Sequence, residues 1–76
     1  MSEVEWIETF GDNLIDILKE EGMSQQELAD ECGVAKSVIS SYIHKTRMPS
    51  LKTIINMAYA LNTSIDVLVD FGERIE

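Results

Sequence analysis

Four cations, Lys36, Lys45, Arg47 and Lys52, stand in a stretch of the chain, residues 32–65, that contains no acid. Residues 1–31 hold ten acids against Lys19 alone, and residues 66–76 hold four acids against Arg74. The middle of the chain is therefore +4 between flanks of −9 and −3, although the whole carries −8. A nucleic acid demands a basic footprint, because each phosphate neutralised by Lys or Arg releases counterions. The net charge argues against such a partner; the distribution argues for a small basic face on a repulsive body. Chance clustering on a solvated surface is the alternative. Other chemistries lack their parts. One His (His44), one Cys (Cys32) and scattered carboxylates supply neither a nucleophile–base pair nor a metal ligand set, so no enzyme, metal or cofactor is expected.

The elements that must position those cations follow from periodicity and punctuation. Ser24-x-x-Glu27 is a capping box, in which each side chain satisfies a backbone N–H at a helix start. Leu28, Ala29 and Cys32 then form an apolar helix face, and Gly33 supplies the left-handed backbone common just past a helix end. Val34 plugs the turn, and Ile39, Tyr42 and Ile43 give the next helix its buried side at 3.6-residue spacing. Helix, short turn and helix together make a helix-turn-helix. The pattern predicts helices over about 5–21, 25–32, 36–44, 51–61 and 65–70. Trp6, Ile7, Phe10, Leu14, Ile17 and Leu18 stripe the first, with Gly11 inside it at ~1 kcal/mol relative to Ala. Ser50 after Pro49 caps the fourth, with a stripe of Leu51, Ile54, Ile55, Ala58 and Leu61. Asn62 suits a left-handed position after it. Ser64 caps the fifth, from which Ile65, Leu68 and Val69 are expected to face inward.

The segment resembles the helix-turn-helix of the phage Cro and repressor family, the lambda-repressor-like or XRE-type DNA-binding domains. Gln25 opens the unit, with Ala29 at its fifth position, Gly33 at its ninth, Ile39 at its fifteenth and Tyr42 at its eighteenth. The resemblance extends outward through Gly11-x-x-Leu14, Arg47-Met48-Pro49-Ser50-Leu51 and Ala60-Leu61-Asn62-x-Ser64-Ile65-Asp66, covering roughly residues 9 to 70. It implies an all-α, compact five-helix lambda-repressor-like domain that binds double-stranded DNA sequence-specifically as a transcriptional regulator, with repression the expected mode. Helix three would lie in the major groove, with helix two across the backbone. Ala35, Lys36, Ser37, Ser40 and Ser41 would then meet base edges, Ala35 through its methyl against a thymine methyl. Gln25, His44, Lys45, Arg47 and Lys52 would hold the backbone, Gln25 also bracing Lys36.

Departures from the family pattern matter. The arginines common along helix one are replaced by Asn13, Ile15 and Leu18, which removes a phosphate clamp. Ala35 stands where Ser or Thr usually caps helix three, at a cost of ~1 kcal/mol. Lys45 stands where Gly commonly ends it, so either Lys45 turns left-handed or the loop takes another course. A family ion pair between helices one and three is replaced by Leu18 and Ile43, which are expected to touch. Val67, Phe71 and Ile75 exceed what one small core needs. They predict a weak homodimer through helix five and the C-terminal tail, unless Phe71 folds back onto the core. The rival to a DNA-binding function is a protein-interaction module on the same scaffold, antirepressor- or antitoxin-like, which the acidic body would suit.

Length bounds the rest. Seventy-six residues, 45% hydrophobic, allow one domain spanning 1–76, near the lower limit for a self-sufficient core. One Pro and four Gly argue against both a β-rich and a disordered chain. Cys32 has no disulfide partner, and its apolar neighbours predict a buried thiol. The N-terminus, MSEVEWIETF, mixes acids with apolar residues and is no signal peptide. No run reaches membrane-spanning length, and no membrane partner is expected. A cytoplasmic, nucleoid-associated protein of bacterial or phage origin is the expectation, with no ligand-sensing unit following the helix-turn-helix.

Overall fold

The first four N–H groups of a helix have no partner inside it, and here a serine side chain takes one of them in four of the five helices. The computed structural model describes residues 2–69, and these form α1 (Glu3–Glu21), α2 (Gln25–Cys32), α3 (Lys36–Ile43), α4 (Leu51–Ala60) and α5 (Ile65–Leu68), with no strand among them. Ser24 and Glu27 close the anticipated capping box, with Glu27 N–H donating to Ser24 Oγ (3.1 Å) and Ser24 N–H to Glu27 Oε1 (2.8 Å). A second box, Ser2 with Glu5, starts α1 at Glu3, two residues before the expected position. Ser50 and Ser64 accept from Thr53 and Val67 N–H to start α4 and α5. Ala35 makes no side-chain cap, so α3 begins with its amides uncovered by any side chain.

Four helices end in the same closure, the Schellman pattern of paired backbone bonds around one left-handed residue. Those residues are Gly22, Gly33, Lys45 and Asn62. After α3, Thr46 N–H donates to the Ser41 carbonyl (2.9 Å) and Lys45 N–H to that of Tyr42 (3.1 Å), with Lys45 at φ 65°. The open question over Lys45 is thus answered: it takes the conformation that glycine would take at least cost. His44 becomes the cap residue rather than part of the helix.

α3 lies against both α1 and α2, α2 against α4, and α5 bridges α1 and α4. Phe10, Leu14, Leu28, Ile39, Met57, Leu61 and Leu68 are fully buried where these helices meet. Trp6 stacks on Phe10 with ring centres 5.3 Å apart, and Phe10 meets Tyr42 edge-on at 6.0 Å, which ties the start of α1 to α3. The stripe of α4 differs from expectation. Leu51 is 68% exposed and Ile55 also faces out, whereas Met57 is buried. The core side of α4 is Ile54, Met57, Ala58 and Leu61, and Leu51 lies at the exposed first residue of the helix. Ile65 is likewise exposed, because one turn of α5 buries only Leu68 fully and Val69 in part. The Cys32 thiol is half-buried rather than buried. Residue 70 and the expected apolar positions Phe71 and Ile75 lie outside the described residues.

Candidate nucleic-acid interface

The α2–turn–α3 unit holds its shape through backbone chemistry. Gly33, at φ 70°, lets its own N–H donate to Asp30 and that of Val34 to Ala29, which ends α2 and aims the chain into α3. Val34 is half-buried in the turn, and Ile39 and Tyr42 are buried beneath α3. That leaves Ser37, Ser40, Ser41 and His44 on one outward stripe at spacings of three and four, with exposed Lys36 at its N-terminal end. Arg47, in the loop after α3, and Lys52, in the first turn of α4, are exposed as well.

The polar groups of the stripe are not equally available. Ser41 is half-buried and its hydroxyl donates to the Val38 carbonyl at 2.6 Å, so it can offer an outside group only lone pairs. Ser40 Oγ lies 3.1 Å from His44 Nδ1, which is itself 2.8 Å from the Ser40 carbonyl oxygen. A carbonyl can only accept, so that geometry assigns the hydrogen to Nδ1 and leaves Nε2 without it in the neutral ring. Gln25 is half-buried at the first position of α2 and makes no hydrogen bond to Lys36, so the expected brace is absent among the described residues.

Lys45 goes elsewhere. Its ammonium lies 2.7 Å from Asp12 Oδ1 in α1, the one ion pair among the described residues. The hydrogen bond to Asp12 chiefly, then the charges of Asp12 and Glu8, push the Lys45 ammonium above its ordinary pKa. Its stem crosses Gly11: a β-carbon there would sit 2.8 Å from the Tyr42 carbonyl oxygen and 3.1 Å from Lys45 Cγ. Residue 11 is therefore a true close approach of α1 to the end of α3, and its lack of a side chain makes room for the lysine. Asp12 had no signal in the sequence, because 33 residues separate it from Lys45 and only the packing of α1 on α3 joins them.

Asn13 has a structural role in place of the missing arginine: its amide donates to the Leu68 carbonyl (3.0 Å), fastening α5 to α1. Leu18 and Ile43 line one shallow groove with Ile15 and Met23, so the pair does share a side of the molecule. Burial first, and Glu31 second, push the Cys32 thiol up, which keeps it protonated at neutral pH.

Comparison with known proteins bears on this arrangement directly. The helix-turn-helix family matches residues 14–68, most of the chain and all of α2 to α5. The chain belongs to that family, in its XRE-type, lambda-repressor-like form. An uncharacterised HTH-type transcriptional regulator of Bacillus subtilis, YqaE, is 34% identical over 67 residues. That match takes in 88% of this chain and 57% of YqaE, so the chain spans a little over half of that relative. Among solved structures, the restriction-modification controller protein C.AhdI of Aeromonas hydrophila superposes with a TM-score of 0.78 at 29% identity, over 82% of this chain and 94% of that one. A hypothetical transcription factor from Neisseria, NHTF, gives 0.79 at 28% identity, over 84% and 74%. The all-α fold is thus that of transcriptional controllers. No helix among the described residues is long and apolar enough to cross a membrane.

Proposed function

We propose that this helix-turn-helix chain is a sequence-specific double-stranded DNA-binding transcriptional regulator that reads the major groove with α3. The observation that carries the reading is charge placement. The outward stripe of α3 contains no acid, and Lys36 at its start, Arg47 in the loop after it and Lys52 at the start of α4 are exposed and without an ion-pair partner among the described residues, on a chain that is otherwise acidic. The kinship with transcriptional regulators supports the same reading.

The division of labour follows from chemistry. Lys36, at the first residue of α3, is a point-charge donor for guanine acceptors and carries most of the base discrimination. Ser37 and Ser40 make adaptable contacts, Ala35 offers a methyl to thymine, and Ser41 accepts from an adenine or cytosine amino group. Gln25, Arg47, Lys52 and, when its outer nitrogen is protonated, His44 hold phosphates, which sets register without reading sequence. A two-fold homodimer through α5 and the tail would place two α3 helices one DNA turn apart, ~34 Å. Val67 and Ile65, both exposed on α5, support that arrangement.

Selection of bound sequences from a random DNA pool, followed by fluorescence anisotropy on the winning site and a scrambled copy, tests the reading. A selected consensus with salt-dependent preference over the scramble is the expected result. No enrichment, and no salt-dependent binding to either duplex, would replace it with the interaction-module reading that the acidic body favours.

A further inference from the structure

Lys45 is the cation placed at the very end of α3, where a phosphate contact would be natural, yet the structure turns it back onto α1. Three independent features hold it there. Its backbone occupies the left-handed position of the Schellman closure. Its stem lies over Gly11, with Cγ and Cε 3.1 and 3.3 Å from where a β-carbon would be. Its ammonium is 2.7 Å from Asp12, with Glu8 adding a second negative charge. We propose that Asp12 is a negative determinant of DNA affinity: it competes with backbone phosphate for Lys45 and so caps the electrostatic part of binding. The proposal rests on the DNA-binding reading and concerns the strength and salt dependence of that binding.

The competition is feasible because neither partner is trapped. The side chain of Lys45 is 34% exposed and that of Asp12 64%, so the pair lies at the surface, where such contacts are weak and exchange readily. A phosphate carries a full negative charge and sits in a counterion atmosphere whose release favours the lysine. With Asp12 in place, Lys45 is shared between the two acceptors. With Asp12 neutral, the same stem geometry over Gly11 leaves the ammonium free to turn to DNA.

The test measures affinity for the selected duplex across a salt series for Asp12→Asn, Lys45→Met and the double variant. Asp16→Asn, an equal charge change one turn further along α1, serves as the control. Lys45→Met keeps the stem over Gly11 and removes only the charge. Asp12→Asn should tighten binding about three- to tenfold at low salt and steepen the log–log salt slope by about one unit. Lys45→Met alone should change affinity less than Arg47→Ala does, and in its background Asp12→Asn should add no more than Asp16→Asn. In the Lys45→Met background, a gain from Asp12→Asn larger than that from Asp16→Asn overturns the proposal, as does a slope unchanged by Asp12→Asn. Absence of salt-dependent binding in every variant, the parent included, would instead remove the DNA reading beneath it. Circular dichroism of each variant establishes that the fold is retained.

Discussion

At the scale of single residues, the distinction between reading and holding is open to experiment. Lys36→Ala should remove preference at one base position, worth ~1–3 kcal/mol, and leave binding to scrambled DNA nearly unchanged. Arg47→Ala should weaken all sequences alike and flatten the salt slope by about one unit. Equal, uniform losses from both would mean that α3 does not read bases. Gly11 offers a packing test of the same kind. Replacing it by Ala gains ~1 kcal/mol of helix propensity. The new methyl would meet the Tyr42 carbonyl at 2.8 Å, and a backbone atom cannot swing aside. Overpacking of this sort costs about 1–3 kcal/mol, so Gly11→Ala should lose up to ~2 kcal/mol net in urea unfolding. A variant more stable than the parent would show that the α1–α3 approach is looser than described. The ion pair next to it has a pH signature. Because the folded value of Lys45 is raised, its contribution is complete at neutral pH and disappears as pH rises through that value. The stability difference between parent and Asp12→Asn should vanish there.

Helix ends carry the predictions at the scale of elements. α3 starts on Ala35 without a side-chain cap, whereas α1, α2, α4 and α5 all start on serine. Ala35→Ser should therefore stabilise the fold by ~1 kcal/mol. It should also weaken binding at any site where the methyl met a thymine, a trade that thermal unfolding and anisotropy would read separately. The other end of α3 makes a comparable case. A left-handed lysine costs roughly 1 kcal/mol and its exposed ion pair is screened by water, so Lys45→Gly should raise stability in urea unfolding. α1 has its own acid-sensitive start. The Ser2 backbone N–H first, and its hydroxyl second, hold the Glu5 carboxyl below its usual value. That contribution is present above the usual carboxylate range and lost as pH falls through the lowered value. Protection factors for hydrogen exchange at the start of α1 should fall in acid before those of α2's core amides do.

For the whole molecule, the balance of charges decides how it behaves on DNA. A body of net charge −8 repels a polyanion at long range and lowers non-specific affinity more than specific affinity, which has base contacts to offset it. With Lys45 shared with Asp12, only Lys36, Arg47 and Lys52 of the basic stretch lack an ion pair among the described residues, and the salt slope should lie between about −3 and −4 per subunit. A slope near zero would remove the DNA reading; one much steeper would point to contacts beyond the described residues. Assembly is tested by sedimentation, free and on the selected duplex. A concentration-dependent dimer is expected, and a strict monomer in both states would discard the homodimer. The exposed apolar surface is larger than α5 alone provides. Tyr59 is 84% exposed on α4, close to Ile55 and Ile65 along one groove, so an Ile65→Asp substitution should abolish any dimer while leaving the α2–α3 unit folded.

Much of this was written in local sequence. Ser24 with Glu27, Gly33, Pro49-Ser50 and Ser64 act on amides within four residues of themselves, so helix starts and stops follow from their order alone. The same locality made Ser2 with Glu5 readable, though the expected α1 began two residues late. The periodic apolar residues of α1 and the helix-turn-helix likewise announced the fold. Tertiary packing decided the rest. Whether Leu51 or Met57 joins the core depends on where α4 meets α2 and α5, which a 3.6-residue period cannot say at a helix end. The position of Lys45 at a helix end hinted at its backbone, but its charge had no visible partner until α1 brought Gly11 and Asp12 beneath it. A cation's charge is a property of the residue; what that charge is free to meet is set by neighbours distant in sequence, and only the folded chain assigns them.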